Sequence, residues 1–227
     1  MGPRYAIYYG PAPTSDLWRF GSGLIGYDAA TGSDTEAADP LPFPEWRALT
    51  EEPRRYGFHA TLKAPFSLRS GLAERDLVAA ATGLAARQVA VTMPRLTVQG
   101  LGTFVALGFA ERSAAVDALA AASVHAFEPL RAALSAEDRA RRLRSPLSSQ
   151  QAKYLDRFGY PYVLDEFRFH MTLTGPLPPE LRPQVRDVLA ERWAAIEEEL
   201  TLDALSVVRQ QTRSERFRVI ARYPLLG

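Results

Sequence analysis

Two histidines carry the clearest chemical pattern in this chain. Each begins a His-x-Thr-apolar motif, His59-Ala-Thr61-Leu in the first half and His170-Met-Thr172-Leu in the second. Either motif alone would be weak support for a site, but the chain has only three histidines, and two of them carry the same neighbours. An imidazole and a hydroxyl held at this spacing can hydrogen-bond an oxyanion.

Both motifs lie in segments that predict β-strands, residues 56–63 and 167–174. Because successive side chains of a strand point to opposite faces, each strand has an apolar face and a polar face. The apolar faces carry Phe58, Ala60 and Leu62, and Phe169, Met171 and Leu173. The polar faces carry His59, Thr61 and Lys63, and Arg168, His170 and Thr172. Each strand therefore offers an imidazole, a hydroxyl and a cation on one side.

The elements that follow the two motifs occur in the same order. A helix over residues 73–88 and strands over 90–99 and 103–109 follow the first motif, and a helix over 179–200 and strands over 202–210 and 216–223 follow the second. Pro94 interrupts the first of these strands, and Ser15 is a candidate N-cap for an earlier helix. The chain therefore looks like two copies of a β-α-β-β lobe.

This repetition predicts an α+β fold of two pseudo-symmetric β-α-β-β lobes. Their antiparallel sheets would form a central cleft, with the helices on the outer faces. We expect a single two-lobed domain over residues 1–227, with a first motif lobe over about 53–110, connecting helices over 111–165 and a second motif lobe over 166–223. Pseudo-twofold packing would bring both histidines to a common ligand.

These residues resemble a known group of proteins. The paired His-x-Thr-apolar motifs on strands of a duplicated lobe are similar to the 2H phosphoesterase superfamily, which includes cyclic phosphodiesterases. The start at Arg4 and the stretches 55–66 and 167–175 more narrowly resemble a DUF1045-like bacterial branch found beside phosphonate-utilisation genes. The resemblance implies a metal-independent phosphoric diester hydrolase without a cofactor, acting on a cyclic ribose or nucleotide phosphate, in phosphonate metabolism for this branch.

The resemblance also implies residue roles. One imidazole would take a proton from the attacking hydroxyl or water, and the other, as imidazolium, would donate one to the leaving oxygen. By analogy with the superfamily's ring-opening hydrolases, His59 is the acid and His170 the base, and the roles exchange in the ligase direction. Thr61 and Thr172 would hydrogen-bond the phosphoryl oxygens. The cations Lys63 and Arg168 would neutralise developing charge.

Structural roles compete with these assignments. A strand histidine often bonds a neighbouring carbonyl, threonine is a common strand former, and Lys63 stands at a strand end, where a solvated lysine is expected. The basic run over residues 139–144 follows two acids and is interpreted as a solvated helix face. Tyr8 could stack a base or sugar, but it fits the core of a first strand better.

Composition limits the remaining classes. The formal net charge is +1, which argues against extended nucleic acid as a partner and favours a small phosphorylated substrate. The chain has no cysteine and no metal-ligand spacing among its histidines, so we expect no metal site. Without a signal or membrane-spanning stretch, we expect a cytoplasmic protein with no membrane partner.

Three alternatives stay open at this point. One is the processing or ligation of RNA ends that carry a 2′,3′-cyclic phosphate. Another is a non-catalytic module that binds a phosphorylated nucleotide, and a third is an interaction scaffold with structural histidines. The sequence does not specify the leaving group, the ester bond cleaved, the direction of the reaction, which histidine is the acid and which the base, or the oligomeric state.

Overall fold

The computed structural model describes residues 2–36, 41–196 and 199–227. Within these ranges the chain forms eight α-helices, namely α1 (Asp16–Ile25), α2 (Trp46–Leu49), α3 (Glu51–Arg54), α4 (Glu74–Ala85), α5 (Ala114–Phe127), α6 (Ala136–Arg142), α7 (Ser149–Phe158) and α8 (Arg182–Ala194). Its strands are β1 (Arg4–Tyr9), β2 (Tyr27–Asp28), β3 (Ser33–Asp34), β4 (Ala60–Phe66), β5 (Val91–Thr92), β6 (Leu96–Leu101), β7 (Phe104–Phe109), β8 (His170–Thr172), β9 (Thr201–Leu202), β10 (Ala204–Gln210) and β11 (Arg218–Pro224). Two 3₁₀ turns, Glu128–Leu130 and Leu164–Glu166, complete the regular structure.

Seven of the strands form one antiparallel sheet in the order β11-β10-β1-β4-β8-β7-β6. The two motif strands, β4 and β8, are neighbours inside it. The hairpin β6–β7 follows the first motif in sequence but pairs with the second motif strand, β8. The hairpin β10–β11 follows the second motif and reaches β4 through β1. The predicted antiparallel α+β fold is confirmed, with the strands of both lobes joined in a single sheet.

One face of the sheet carries the main hydrophobic core. All six residues predicted for the apolar faces of the motif strands are buried there, namely Phe58, Ala60, Leu62, Phe169, Met171 and Leu173. Helices α4, α5 and α8 pack on this face against β10, β4 and β6. The opposite face is left for polar side chains, which is the division that the alternating pattern predicts.

Several predicted elements differ at their ends. Strand β8 spans three residues, His170–Thr172, and β4 begins at Ala60, one residue after the motif histidine. Pro94 separates β5 from β6, because proline cannot donate a ladder hydrogen bond. Helix α8 ends at Ala194, and the predicted continuation to residue 200 crosses residues 197 and 198, outside the described residues. Ser15 caps α1 as predicted by accepting from the Trp18 amide.

A close contact between α1 and the segment before His59 fixes the position of the first motif. A Cβ atom at Gly21 would lie 2.2 Å from a ring carbon of Phe58, so only glycine fits the observed packing. Phe58 is 1% exposed and immediately precedes His59. The absence of a side chain at Gly21 therefore lets α1 approach closely enough to cover Phe58 and hold the chain at the motif.

We predict that Gly21→Ala lowers the free energy of unfolding by about 1–3 kcal/mol. Alanine would gain up to about 1 kcal/mol of helix propensity, but the overlap with the buried Phe58 ring outweighs this gain. The matched control is Gly83→Ala in α4, where the added Cβ meets only the flexible end of Arg87 at 3.4 Å. Urea unfolding should show Gly83→Ala neutral or stabilising, and a stabilising Gly21→Ala would contradict the packing argument.

Candidate active site

The pairing of β4 with β8 places the two motifs side by side. Ala60 is the antiparallel partner of Met171, and both side chains are buried in the core. Continuing this register sets His59 opposite Thr172 and Thr61 opposite His170, with opposed Cα atoms about 4.5–5.5 Å apart. The four side chains alternate away from the core, so each histidine lies beside the threonine of the other motif on one face of the sheet.

Both histidine rings are oriented in the same way by the backbone. The His59 Nδ1 lies 2.8 Å from the Gly57 carbonyl oxygen, and the His170 Nδ1 lies 2.9 Å from the Arg168 carbonyl oxygen. A carbonyl only accepts, so Nδ1 carries the proton in each neutral ring and Nε2 has the free lone pair. Gly57 has φ of +78°, a conformation that glycine adopts without strain, and this turn presents its carbonyl to His59.

His59 is also covered by an aromatic ring. Tyr8 of β1 stacks on it with ring centroids 3.6 Å apart and planes inclined by 22°. The Nε2 of His59 accepts a hydrogen bond from the Thr61 hydroxyl at 3.1 Å. Tyr8 is 1% exposed, as expected for a core residue, and it still lines the cleft. It therefore fixes the plane of the imidazole and shields one face of it from water.

Burial dominates the electrostatics of both histidines. It lowers the pKa of His59 from 6.5 to about 4, against the raising effect of the Gly57 carbonyl and with a smaller lowering effect from His170. Burial also lowers the pKa of His170, against the raising effect of the Arg168 carbonyl. Both rings are therefore neutral at pH 7 in the ligand-free protein.

The polar face opens into a cleft of about 620 Å³. His59, Thr61 and Thr172 line it. His170 lines an adjoining cavity of about 510 Å³, which shares Thr61 and Phe104 with the cleft. The paired motifs thus stand at the junction of two connected cavities, where a ligand can contact both rings.

Lys63 does not reach this cleft. Tyr8 pairs with Thr61 but Ile7 pairs with Lys63, so β4 contains a bulge at Leu62. One extra residue reverses the alternation, and Lys63 lies on the core side with Ile7. Lys63 is 2% exposed, and its ammonium donates to the Glu128 carboxylate at 2.5 Å. The prediction that Lys63 shares a face with His59 is therefore wrong, and so is the alternative of a solvated lysine.

Arg168 is exposed and lines the adjoining cavity together with His170 and Thr61. Its backbone carbonyl holds the His170 ring. The structure thus brings together His59, His170, Thr61 and Thr172, adds Arg168 at the periphery, and leaves Lys63 outside.

The cleft also contains residues that the sequence interpretation missed. Arg141 and Arg142, from the basic run assigned to a solvated helix face, both line it, together with Arg4 and Arg213. The basic run in the sequence was the one indication of these residues. Which way its helix, α6, faces depends on the tertiary structure. Among the described residues, no group of three or more His, Cys, Asp or Glu side chains could hold a metal ion.

Comparison with known proteins identifies the family. The profile of the family described as "Protein of unknown function (DUF1045)" matches residues 61–218. The chain belongs to this family, which confirms the branch that the motifs resembled. None of the helices in the described residues has the length and apolar character needed to cross a membrane.

Two curated proteins that share one name are similar in sequence to this chain. The chain is 34% identical over 233 residues to "Ribose 1,5-bisphosphate phosphokinase PhnN" of Janthinobacterium sp. (strain Marseille), covering 99% of this chain and 51% of that protein. A protein of the same name from Laribacter hongkongensis (strain HLHK9) is 35% identical over 181 residues, covering 77% of this chain and 40% of that protein. The chain spans about half the length, or less, of the curated relatives it matches.

Two solved structures are similar over the full length of both chains. They are a phosphoesterase, with a TM-score of 0.44, and E. coli LigT complexed with 3′-AMP, with a TM-score of 0.47. Each is 14% identical to this chain.

The Lys63–Glu128 pair leads to a stability prediction. We expect Glu128→Ala to lower the free energy of unfolding by about 3 kcal/mol or more, because it leaves the Lys63 ammonium buried without a carboxylate. Lys63→Met should cost less than about 1.5 kcal/mol, since Glu128 keeps Arg131 at 2.7 Å and no unpaired charge is buried. Urea unfolding at pH 7 measures both. Equal destabilisation by the two substitutions would contradict the assignment of Lys63 to the core side.

Proposed function

We propose that the protein is a phosphoric diester hydrolase that cleaves a small phosphodiester, a cyclic ribose or nucleotide phosphate, by metal-independent two-histidine catalysis. The observation that carries the proposal is the common orientation of His59 and His170. Both rings have Nδ1 held by a backbone carbonyl two residues earlier. His170 begins β8, His59 directly precedes the neighbouring strand β4, and the two stand at the junction of two cavities. This leaves two Nε2 atoms as the proton-transfer groups of one site.

The proposed step uses one ring as base and the other as acid. The base accepts a proton from water as the new P–O bond forms, and the acid protonates the ester oxygen as its bond to phosphorus breaks. When the substrate binds, the Thr61 hydroxyl turns from the His59 Nε2 to one non-bridging oxygen, which frees that nitrogen to accept a proton. Thr172 donates to the other non-bridging oxygen, and the two bonds fix phosphorus between the rings. Arg168 assists charge neutralisation from the His170 side, and Lys63 takes no part because Glu128 binds it in the core.

The surroundings of His59 support an assignment of roles opposite to that implied by the resemblance. Tyr8 covers one face of this ring, the Thr61 hydroxyl donates to its Nε2 in the free protein, and burial lowers its pKa to about 4, so its neutral form is favoured. We therefore assign His59 as the neutral base and His170 as the imidazolium that protonates the leaving group. The roles exchange in the reverse direction.

The curated relatives support the substrate class. Their name contains a phosphorylated ribose, and this chain matches 51% of the length of one of them and 40% of the other. We therefore place a ribose phosphate at the centre of the proposed substrate set and phosphonate metabolism as its context. Turnover distinguishes this proposal from a non-catalytic binding module. A preference for small substrates distinguishes it from the processing of RNA ends.

We predict that His59→Asn and His170→Asn each lower kcat by about 10²–10⁴-fold on nucleoside 2′,3′-cyclic phosphates or ribose cyclic phosphates, because each removes one proton-transfer group. The matched control is His125→Asn. His125 lies in α5 and packs edge-on against Phe158, outside the cleft, so this variant should keep full activity. The assays contain EDTA, and the melting temperature checks the folding of every variant.

An activated ester separates acid from base. Bis(p-nitrophenyl) phosphate has a leaving group that needs little protonation. On this substrate, the activity of His170→Asn relative to wild type should therefore be higher than that of His59→Asn. Recovery by His59→Asn instead would reverse the role assignment. If no cyclic phosphate is turned over and tight ligand binding survives both substitutions, the binding-module alternative replaces the hydrolase.

The lowered pKa values predict an acidic optimum. The acid must be protonated and the base neutral, and the histidines of the free protein titrate below 6.5, down to about 4 for His59. As the pH rises above the higher apparent pKa of the histidine pair, the acid loses its proton, and kcat/KM falls. We therefore expect kcat/KM to follow a bell with its maximum between about pH 4 and 6.5. A maximum at pH 8 would contradict the burial argument.

A further inference from the structure

Four arginines line the cleft, and neither proton transfer nor the threonine contacts require them. Arg4 comes from β1, Arg141 and Arg142 from α6, and Arg213 from the turn between β10 and β11. All four line the same cavity as His59. Three distant segments of the chain thus deliver positive charge to one place, which we call the arginine cluster.

The cluster has too few carboxylates for its charge. Asp138 accepts from Arg141 at 2.5 Å and from Arg213 at 2.6 Å. Arg4 donates from Nε to the uncharged Gln210 side chain at 2.9 Å. Arg142 lies over the Tyr160 ring at 5.0 Å, and its Nε is buried without a hydrogen-bond partner in the described part of the chain. Glu52 lines the same cavity, but the ion pairs of the described residues give neither Arg4 nor Arg142 a carboxylate.

Burial makes this excess unfavourable without an anion. Burial lowers the pKa of Arg142, and the positive charge of Arg141 lowers it further. Burial likewise lowers the pKa of Arg4, and the positive charge of Arg213 lowers it further. A partly buried guanidinium without an acceptor is poorly solvated and poorly paired. Several planar forks converging on one cavity match the oxygens of a phosphate group.

The Arg4 backbone lies well away from the strand position next to His59. Arg4 and Tyr8 share a face of β1, and Tyr8 stacks on His59. Four residues along a strand separate their Cα atoms by about 13 Å. The cleft that Arg4 and His59 both line has a volume of about 620 Å³, which is large enough for a sugar that carries two phosphoryl groups.

We propose that the arginine cluster binds a phosphate monoester of the substrate, so that the protein acts on a sugar carrying two phosphoryl groups: the diester to be cleaved and a terminal monoester. This rests on the proposed function and narrows its substrate class. A monoester near neutral pH carries almost two negative charges and three acceptor oxygens, which suits the guanidinium groups of Arg4 and Arg142, which have no carboxylate partner, better than a carboxylate does.

Calorimetric binding of ribose 5-phosphate, with ribose as the phosphate-free comparison, tests the cluster without catalysis. We expect the wild type and His59→Asn to bind ribose 5-phosphate, and Arg142→Met to weaken binding by at least tenfold. The matched control is Arg139→Met on the same helix, because Arg139 pairs with Asp156 outside the cleft at 2.9 Å. Arg213→Met serves as a second variant if Arg142→Met does not fold.

Turnover then compares a ribose cyclic phosphate with its 5-phosphorylated counterpart. The wild type should favour the phosphorylated compound at least tenfold in kcat/KM, and Arg142→Met should abolish this preference. Equal kcat/KM for both compounds, with no Arg142-dependent binding of ribose 5-phosphate, would overturn the cluster and leave the hydrolase standing. Arg142-dependent binding without turnover of any diester would support the cluster and overturn the proposed function.

Discussion

The site depends on one backbone constraint, the antiparallel pairing of Ala60 with Met171 at the centre of the sheet. Both of these side chains are buried, so the flanking histidines and threonines must point to the opposite face. A slip of one residue would bury the imidazoles and expose the core. The packing of Phe58 beneath Gly21 and the bonds from both Nδ1 atoms to the backbone then orient rings whose face is already decided.

The topology makes the two halves of the chain depend on each other. The hairpin that follows each motif in sequence supports the strand of the other motif, either directly, as β7 supports β8, or through β1. The cleft is therefore formed by contacts between residues far apart in sequence. The same exchange lets the turn between β10 and β11 bring Arg213 to the cleft that β4 lines, although more than 140 positions separate it from His59.

Local patterns predicted the parts of the structure that local physics decides. The alternation in both motif strands, the Ser15 cap and the interruption at Pro94 depend on nearby residues, and each was predictable. Lys63 was not, because the bulge in β4 arises from its register with β1, and one added residue reverses the face of a side chain. Arg141 and Arg142 were missed for a related reason: a basic helix face is solvated or functional according to what the rest of the fold places opposite it.

The substrate itself can supply the protonation state that the neutral histidines lack. A phosphodiester anion about 4 Å from an imidazolium stabilises it by about 4 kcal/mol at an effective dielectric constant near 20. This corresponds to a rise of about 3 pKa units, and it opposes the lowering that burial imposes on the pKa of His170, the proposed acid. Burial thus keeps both rings neutral in the empty cleft, whereas the bound anion favours one imidazolium. A protonated acid then forms where the anion that needs it is bound, and this links substrate charge to catalytic competence.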